Sequence, residues 1–283
     1  MKTNKLHIQW YPGHIAKAER KLKEQLSLVD AIIEVLDARI PESSCYGNIT
    51  GLINDKPRLI LLNKADLVDS NELKFWIDKL KKQFNVAVFT TDAKNNRDMN
   101  SIIKKAIEIS EPKIQALMKK GLLRRPARIM VVGMPNVGKS SIINKLTRSS
   151  KTKTGAKAGV TRQQQWVRIN PQLELLDTPG IIPMKLDDQQ KAQKLAFVNS
   201  ISENAYSNEL VAIELLNILT PNQIKIFKDY YKLDEADDLT LETIAQKRNW
   251  IVTGGEPDIE RTAIYVLRDF RDGKIGKFIL DRI

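Results

Sequence analysis

Residues 133–140 read GMPNVGKS and have the composition of a loop that holds phosphate groups. Gly133 and Gly138 allow backbone N–H groups to turn inward toward an anion, and a helix that begins behind the loop adds its positive end. Lys139 supplies positive charge to the β- and γ-phosphates, and the Ser140 hydroxyl is a suitable Mg²⁺ ligand. We expect six consecutive residues to bind the nucleotide, namely Asn136, Val137, Gly138, Lys139, Ser140 and Ser141. The loop alone does not distinguish GTP from ATP.

The tetrapeptide Asn63-Lys64-Ala65-Asp66 has the residue types that select guanine. The Asp66 carboxylate can accept hydrogen bonds from N1–H and the 2-amino group of guanine, and adenine offers neither donor at that place. Lys64 is expected to lie along the base, and Asn63 is expected to tie the loop together. The tetrapeptide follows an apolar run, and α/β sheets bind ligands at the carboxyl ends of such strands. Together with the phosphate loop, it predicts a GTP site.

A third motif, Asp177-Thr178-Pro179-Gly180, ends another apolar run. Asp177 fits a water-mediated contact to Mg²⁺, and the Gly180 N–H fits a sensor of the γ-phosphate. Residues 151–162 are polar, basic and glycine-bearing, as expected of a mobile switch loop. Within that loop we predict Thr161 as the second protein ligand of Mg²⁺, with Thr154 as the alternative.

The order of these motifs along the chain is itself informative. In most GTPases the phosphate loop opens the domain and the Asn-Lys-x-Asp element lies near its end. Here the guanine-reading tetrapeptide comes first, the phosphate loop second and the Asp177 motif third. This order predicts a circularly permuted P-loop GTPase domain.

The elements that position these residues are read from the hydrophobic pattern. Short β-rich runs alternate with helical patterns up to about residue 180, which predicts a doubly wound, mostly parallel α/β sheet. The predicted strands are 31–36, 58–62, 86–89, 128–132, 166–169 and 173–176, the last two forming a hairpin. The predicted helices are 15–28, 72–83, 100–109 and 140–146, then 210–219, 222–231, 241–247 and 259–270. We therefore expect a GTPase domain over residues 1–183 and a small helical domain over residues 184–283.

Composition excludes several classes of protein. The chain has 283 residues, of which 42% are hydrophobic and 28% charged, as in globular proteins. No stretch approaches the roughly 18 apolar residues of a membrane span, and the N-terminus lacks an apolar signal core. The single cysteine, Cys45, cannot form an internal disulfide. We therefore expect a cytoplasmic protein without a membrane partner.

The net charge of +12 is unevenly distributed. Residues 1–183 contain 32 Lys+Arg and 17 Asp+Glu, a net of +15, whereas residues 184–283 contain 14 and 17, a net of −3. The basic clusters contain Lys113, Lys119, Lys120, Arg124, Arg125 and Arg128, then Lys145, Arg148, Lys151, Lys153 and Lys157. An excess this segregated favours a nucleic-acid partner over a merely solubilising surface.

These motifs, with their permuted order, resemble those of the ribosome biogenesis GTPase A family, bacterial GTPases that assemble the large ribosomal subunit. The resemblance covers almost the whole chain, including residues 10–18 (WYPGHIAKA), 37–41 (DARIP) and 268–276 (RDFRDGKIG). It implies a GTP-hydrolysing assembly factor that the precursor of the large subunit activates. It also implies that the helical domain contacts rRNA or ribosomal protein. We expect a monomer away from the ribosome.

The chain departs from the family pattern in the second guanine-contacting loop. The family's Ser-Ala-Lys reads here as Asp92-Ala93-Lys94. The Ala93 N–H remains available to the guanine O6, whereas the Asp can weaken the turn or repel a nearby carboxylate. We expect a modest change in nucleotide affinity.

Hydrolysis needs a group that orients the attacking water. Many GTPases use a Gln just after the Asp-x-x-Gly motif, but Ile181 occupies that position here. The resemblance assigns this role to His14, brought into place when the ribosome orders the N-terminal segment, and an imidazole is able to orient or polarise water. From the residues alone, a structural role for His14 in fixing the turn at residues 11–13 is equally open.

Asn136 is a second candidate for catalysis. In GTPases with a Pro-Asn-Val-Gly-Lys-Ser loop the Asn oxygen is associated with a bound K⁺. A cation beside the phosphates stabilises transition-state charge much as an arginine finger does. We therefore expect His14, Lys139 and Asn136 to support catalysis, with GTP as substrate and Mg²⁺ and K⁺ as cofactors.

Two other functions remain open on the sequence. One is a GTPase that serves another RNA, in tRNA modification or translation. The other is a nucleotide-gated scaffold with negligible hydrolysis, because Ile181 replaces the usual Gln and His14 has a structural alternative.

Overall fold

The chain folds into two compact units in a computed structural model, which describes residues 8, 20, 22–45, 51, 53, 56–92, 98–149, 165–177 and 188–282. One unit comprises residues 11–66 and 70–185, and we call it the sheet unit. The other comprises residues 1–10, 67–69 and 186–283, and we call it the helical unit.

The sheet unit is built on a six-stranded sheet with the order β3-β2-β1-β4-β6-β5. Its strands are β1 (Ala31–Asp37), β2 (Arg58–Asn63), β3 (Ala87–Thr90), β4 (Ala127–Val132), β5 (Gln165–Asn170) and β6 (Leu173–Asp177). β5 runs antiparallel to β6 at one edge, and the other neighbouring pairs are parallel. Every residue of β1 and β2 is buried, which explains their largely apolar sequences, and the buried Glu34 of β1 pairs with Arg58 of β2 at 2.8 Å. The predicted strands and the hairpin are confirmed.

Helices pack against this sheet, and the central strands β1 and β2 are covered on both faces, as in doubly wound folds. The described ones are α1 (Ser70–Phe84), α2 (Met99–Lys119) and α3 (Lys139–Ser149). Residues 22–26 are also helical, and Leu22 and Leu26 pack in a buried cluster with Ile32, Met130 and Leu176. Residue 20 is helical as well and residues 27–28 form a turn, whereas residues 15–19 and 21 of the predicted helix 15–28 lie outside the described residues.

Helix α2 extends well beyond its predicted end at residue 109, passing through Pro112. A proline inside a helix removes one backbone hydrogen bond. Pro112 is exposed, so water can satisfy the carbonyl left without a donor. Beyond it, Ile114 is 3% exposed and continues the apolar face. Burial of that face therefore outweighs the cost of the proline.

The helical unit contains α4 (Gln189–Phe197), α5 (Asn208–Asn217), α6 (Pro221–Tyr231), α7 (Leu241–Lys247) and α8 (Ile259–Arg271). Side chains at the N-termini fix where the helices begin. Thr220 and Gln223 form a capping box at α6, and the Asp258 carboxylate accepts a hydrogen bond from the Arg261 N–H at α8. The described part of residues 184–283 is thus helical, as predicted.

Helix α4 has no counterpart among the predicted helices. The Asp188 carboxylate caps its N-terminus by accepting from the N–H groups of Gln190 and Lys191. At its other end the Arg271 guanidinium donates to the carbonyls of Ala196 and Phe197, each at 3.0 Å. These contacts join the last residue of α8 to the C-terminus of α4, where a cation also complements the helix dipole.

Within the described residues no helix combines the length and the apolar character that crossing a membrane requires.

Candidate nucleotide site

The carboxyl ends of the parallel strands bring the predicted nucleotide residues to one edge of the sheet. Asp37 pairs with Asn63 in the register of β1 and β2, and Asp177 pairs with Val131 in the register of β4 and β6. The phosphate loop at residues 133–140 begins directly after β4. The strand order reverses between β1 and β4, and open α/β sheets bind ligands beside such a point.

The two loop glycines are required by close packing. Gly133 has φ +152°, and a Cβ there would overlap the Val35 carbonyl oxygen. Gly138 has φ +99°, in the left-handed region, and a Cβ there would overlap the Asn63 amide nitrogen. The loop is therefore pressed against β1 on one side and against the guanine-reading tetrapeptide on the other.

The Lys139 side chain lies inside the phosphate loop. Its Nζ donates to the carbonyls of Gly133 at 3.1 Å and Met134 at 2.9 Å, and the residue is 7% exposed. Lys139, Ser140 and Ser141 form the first turn of α3, so their backbone N–H groups lie at the positive end of that helix. This arrangement suits an anion held by backbone donors and one ammonium group.

Two further loop residues have contrasting environments. Val137 is fully buried, and its carbonyl oxygen accepts a hydrogen bond from the Asn63 side chain. Asn136 is exposed and has φ +57°, a left-handed conformation that Asn tolerates better than most residues.

Asn63 joins three loops of the site. Its Nδ2 donates to the Val137 carbonyl at 2.7 Å, and its Oδ1 accepts from the Thr91 hydroxyl at 3.0 Å. Its own carbonyl accepts from the Ala38 N–H at 2.9 Å. The residue is buried, so removing any of these hydrogen bonds would leave a polar group without water. Asn63 therefore connects the tetrapeptide to the phosphate loop and to the segment after β3, in addition to its predicted role within its own loop.

Lys64 is held by a carboxylate that the sequence did not reveal as part of the site. Lys64 has φ +63°, and its Nζ donates to Asp37 Oδ2 at 2.8 Å. Arg39 binds the same carboxylate with Nε at 2.9 Å and Nη2 at 2.7 Å. Asp37 is fully buried; burial disfavours its charge, but Arg39 and Lys64 outweigh that cost and hold its pKa well below the ordinary value. Asp37 therefore fixes where the lysine of the guanine motif lies.

Asp66 belongs to a short 3-10 turn, Ala65–Leu67. The preceding Ala65 N–H donates to the Thr91 carbonyl at 3.0 Å, which places the tetrapeptide beside the start of the second guanine loop. The Lys145 ammonium on α3 donates to the Asp92 carbonyl in the same loop. The two loops expected to contact the base are thus neighbours.

Some predicted site residues lie outside the described part of the chain. They are His14, Ala93, Thr161 and Gly180, together with the alternative Thr154 and the side chain of Asp177. The structure does bring together Asn63, Lys64, Asp66, Asn136, Val137, Gly138, Lys139, Ser140 and Ser141, on adjoining loops at one sheet edge. Asp37 and Thr91 are the residues that sequence reasoning missed as site residues. Asp37 carried a usable signal, since it ends an apolar strand as Asn63 does.

Comparison with known proteins agrees with this geometry. A family described as 50S ribosome-binding GTPase matches residues 128–249, a match that starts at the strand leading into the phosphate loop. The tetrapeptide at residues 63–66 precedes that range, as a permuted motif order requires.

Full-length relatives are also similar. Ribosome biogenesis GTPase A of Priestia megaterium is 39% identical, covering 97% of this chain and 96% of the relative. The protein of the same name in Thermotoga maritima is 33% identical, covering 97% and 94%. Mitochondrial ribosome-associated GTPase 1 of Mus musculus is 32% identical, covering 97% and 90%.

Two solved structures share the fold over nearly the whole chain. GDP-bound TM YlqF superposes with a TM-score of 0.65 at 29% identity, covering 93% of this chain and 99% of that one. GNP-bound YlqF from T. maritima gives 0.62 at 30% identity, covering 94% and 98%. With its permuted motifs assembled at one sheet edge and its full-length relatives, the chain belongs to the ribosome biogenesis GTPase A family.

Proposed function

We propose that this protein binds and hydrolyses GTP as an assembly factor for the large ribosomal subunit in the cytoplasm. The observation that carries the proposal is the joining of the guanine tetrapeptide to the phosphate loop through Asn63 and Val137, in a chain of this family. The names of the relatives favour this function over a GTPase for another RNA or a scaffold without hydrolysis.

The nucleotide would lie across the two joined loops. The backbone donors of Val137, Gly138, Lys139, Ser140 and Ser141 would hold the phosphates. Lys139 would exchange the carbonyls of Gly133 and Met134 for phosphate oxygens, which are stronger acceptors for an ammonium group. At the other end, Asp66 would read the guanine edge, and Ala93 would donate to O6. The γ-phosphate would meet the Gly180 N–H.

A divalent cation fits the oxygen donors at this edge. Ser140 in the first turn of α3 would be a direct ligand, and Thr161 would be the second protein ligand. Asp177, the last residue of β6, would contact the cation through water. When bound, Mg²⁺ neutralises negative charge on the β- and γ-phosphates. Asn136 is exposed, and its amide oxygen would be a suitable ligand for K⁺.

Two residues of the chain would decide how water is prepared for attack. Ile181 has no hydrogen-bonding side chain, so water must be oriented by another group, and we assign this to His14. The family resemblance implies that the ribosomal particle would bring His14 into place when it orders the N-terminal segment. Hydrolysis would then be slow for the free monomer and fast on the large-subunit precursor.

The test is GTP hydrolysis with and without purified large ribosomal subunits, in K⁺ buffer and then in Na⁺ buffer. We expect stimulation by the particle, larger in K⁺, and loss of stimulation but not of GTP binding in a His14→Ala variant. Tight GTP binding with equally low turnover under all conditions would instead support the scaffold. Stimulation by a transfer RNA but not by the particle would support another RNA partner.

A further inference from the structure

A second group of cations surrounds a buried carboxylate at the amino end of the strands, away from the phosphate loop. Asp30 directly precedes β1, and its side chain is 0% exposed. Arg125 binds it with Nη1 at 2.7 Å and Nη2 at 2.9 Å, and the Lys113 ammonium lies 3.2 Å from it. Because Asp30 is buried while its partners reach solvent, the surface here presents mainly the cations.

A second lysine increases this positive charge. The Nζ atoms of Lys56 and Lys113 both donate to the Val29 carbonyl oxygen, at 3.0 Å and 2.8 Å. Burial and the neighbouring Lys113 charge lower the pKa of Lys56, which Asp30 only partly offsets. Two ammonium groups held on one neutral oxygen form a local excess of charge that an anion would relieve.

The cations continue across the strands beside this group. Arg128 on β4 and Arg168 on β5 both lie opposite Glu174 of β6 in the strand register, so the three residues form one row on the same face of the sheet. Glu174 is 21% exposed and Arg128 is 41% exposed. The row therefore contains two arginines and one glutamate, and the Arg128 Nε lies 3.7 Å from the Glu174 carboxylate.

An aromatic ring lies next to this row. Trp166 on the edge strand β5 is 39% exposed, and the Arg128 guanidinium lies 5.2 Å from its ring centroid. An exposed Trp alone needs no explanation. An indole beside stacked and neighbouring arginines, however, is the combination on which nucleic-acid bases stack while their phosphates bind the cations. We define the basic edge as Lys56, Lys113, Arg125, Arg128, Trp166 and Arg168.

We propose that the basic edge binds RNA at an unpaired nucleotide, with the base on Trp166 and the flanking phosphates on Arg128, Arg168 and Lys113. The five cations of this surface face two carboxylates, of which Asp30 is fully buried, so charge complementarity selects a polyanion. An acidic protein segment would satisfy the charges but would leave the indole without a stacking partner. The proposal rests on the proposed function for the source of the RNA, which would be ribosomal.

The test compares an Arg128→Gln/Arg168→Gln variant with a Lys81→Gln/Lys82→Gln control. The control removes the same charge from exposed positions of α1 in the same unit. The probe is a fluorescent, unstructured 12-nucleotide RNA in a salt titration. We expect about tenfold weaker binding for the arginine variant at moderate salt. The log–log slope of its salt dependence should flatten by about 0.7 for each phosphate that the variant no longer neutralises. The control should bind as the unmodified protein does.

Trp166→Ala gives a readout that charge alone would not change. We expect about tenfold weaker binding of the RNA. We also expect RNA-dependent quenching of tryptophan fluorescence that a Trp166→Phe variant lacks. All variants should keep the thermal midpoint and the affinity for a GTP analogue, since none of these residues belongs to the nucleotide site.

Equal RNA affinity for the arginine variant and its control would overturn the proposal. Binding of polyglutamate as tight as that of the RNA, with no effect of Trp166→Ala, would overturn it in favour of an acidic protein partner. Measuring GTP hydrolysis with and without the ribosomal particle distinguishes a failure of the basic edge from a failure of the proposed function. If the unmodified protein is not stimulated but the arginine variant binds RNA more weakly, the proposed function fails and the basic edge stands. If stimulation occurs and RNA binding is unchanged in every variant, the basic edge fails alone.

Discussion

The two ends of β1 carry the same ionic arrangement with different consequences. Asp30 precedes the strand and Asp37 is its last residue, and both side chains are 0% exposed. Each is bound by an arginine through two nitrogens and contacted by one lysine. At the carboxyl end these partners belong to loops of the nucleotide site, whereas at the amino end they belong to the basic edge.

The origin of the arginine distinguishes the two groups. Arg39 lies two residues from Asp37, so that ion pair forms locally. The long-range contact of Asp37 is the one with Lys64, which the carboxylate holds in place. Arg125 lies 95 residues from Asp30, so that pair ties the segment before β4 to the start of β1. Asp37 thus positions a lysine of the nucleotide site, whereas Asp30 stabilises the fold by joining two distant segments of the chain. Four experiments test and sharpen this contrast.

Lys139→Ala should have the largest effect of the four changes, and it should affect only the nucleotide site at the carboxyl ends of the strands. Removing the ammonium from the phosphate loop takes away a charge that contacts the reacting phosphates, which we expect to lower GTP turnover by about 100-fold or more. Binding of the 12-nucleotide RNA should not change. The measurement is single-turnover hydrolysis, with Lys104→Ala on the exposed face of α2 as the control. Equal loss of RNA binding would show that the two edges are not independent.

Asp66→Asn should change which base the site accepts. Its amide can still accept from N1–H but presents N–H toward the 2-amino group of guanine, so GTP affinity should fall by about 100-fold. Xanthine carries an oxygen at that position, so XTP should bind the variant more tightly than GTP does. Competition binding of the two nucleotides measures this. An unchanged preference for GTP would assign base selection to another residue.

Asp37→Asn and Asp30→Asn form the most direct comparison of the two carboxylates. Without its anion, Lys64 is no longer held at 2.8 Å, and we expect GTP affinity to fall by about tenfold, or about 1.4 kcal/mol. Asp30→Asn should leave GTP affinity unchanged but lower the free energy of unfolding by about 3 kcal/mol, because buried ion pairs are costly to break. Urea unfolding and nucleotide titration of both variants provide the two quantities. If both variants affect only unfolding, Asp37 is a scaffold residue as Asp30 is.

The sequence was sufficient for the strands and for bringing the described motif residues to one edge of the sheet, because buried parallel strands are largely apolar runs and their carboxyl ends must meet. It was not sufficient for α2, whose continuation depends on Pro112 facing solvent, or for α4, whose C-terminus is completed by Arg271, 74 residues beyond Phe197. In both helices the deciding contact or exposure is tertiary.

The contact between Asp37 and Lys64 and the location of the basic edge also depend on tertiary structure, although the position of Asp37 at the end of a strand was visible in the sequence. Asp37 meets Lys64 across 27 residues, through the register of β1 and β2. The basic clusters indicated a polyanion but not a surface. The fold divides them, since Arg128 joins the basic edge while Lys145 binds the Asp92 carbonyl beside the guanine loop.

The smallest expected effect is the pH dependence of the free energy of unfolding that arises from Asp30 and Asp37. Burial raises the pKa of Asp30, but hydrogen bonds and charge from Arg125, the Arg128 N–H and Lys113 outweigh it, so its pKa is lowered, as is that of Asp37. A pKa lower in the folded than in the unfolded state stabilises the fold above about pH 4. That stabilisation is lost as the pH falls through the folded pKa.

The free energy of unfolding should therefore decrease from about pH 5 downward, with each carboxylate contributing at most about 1.4 kcal/mol per pH unit. Replacing either Asp30 or Asp37 by Asn should flatten this slope, whereas the exposed Asp78→Asn should not. Urea unfolding at pH 3, 4, 5 and 7 measures the three slopes. Because neither buried carboxylate exchanges protons near neutral pH, GTP affinity of the unmodified protein should not depend on them between pH 6 and 8. We expect Asp37 to remain ionised throughout that range and to hold Lys64 at every pH. A change in GTP affinity between pH 6 and 8 that disappears in the Asp37→Asn variant would contradict this.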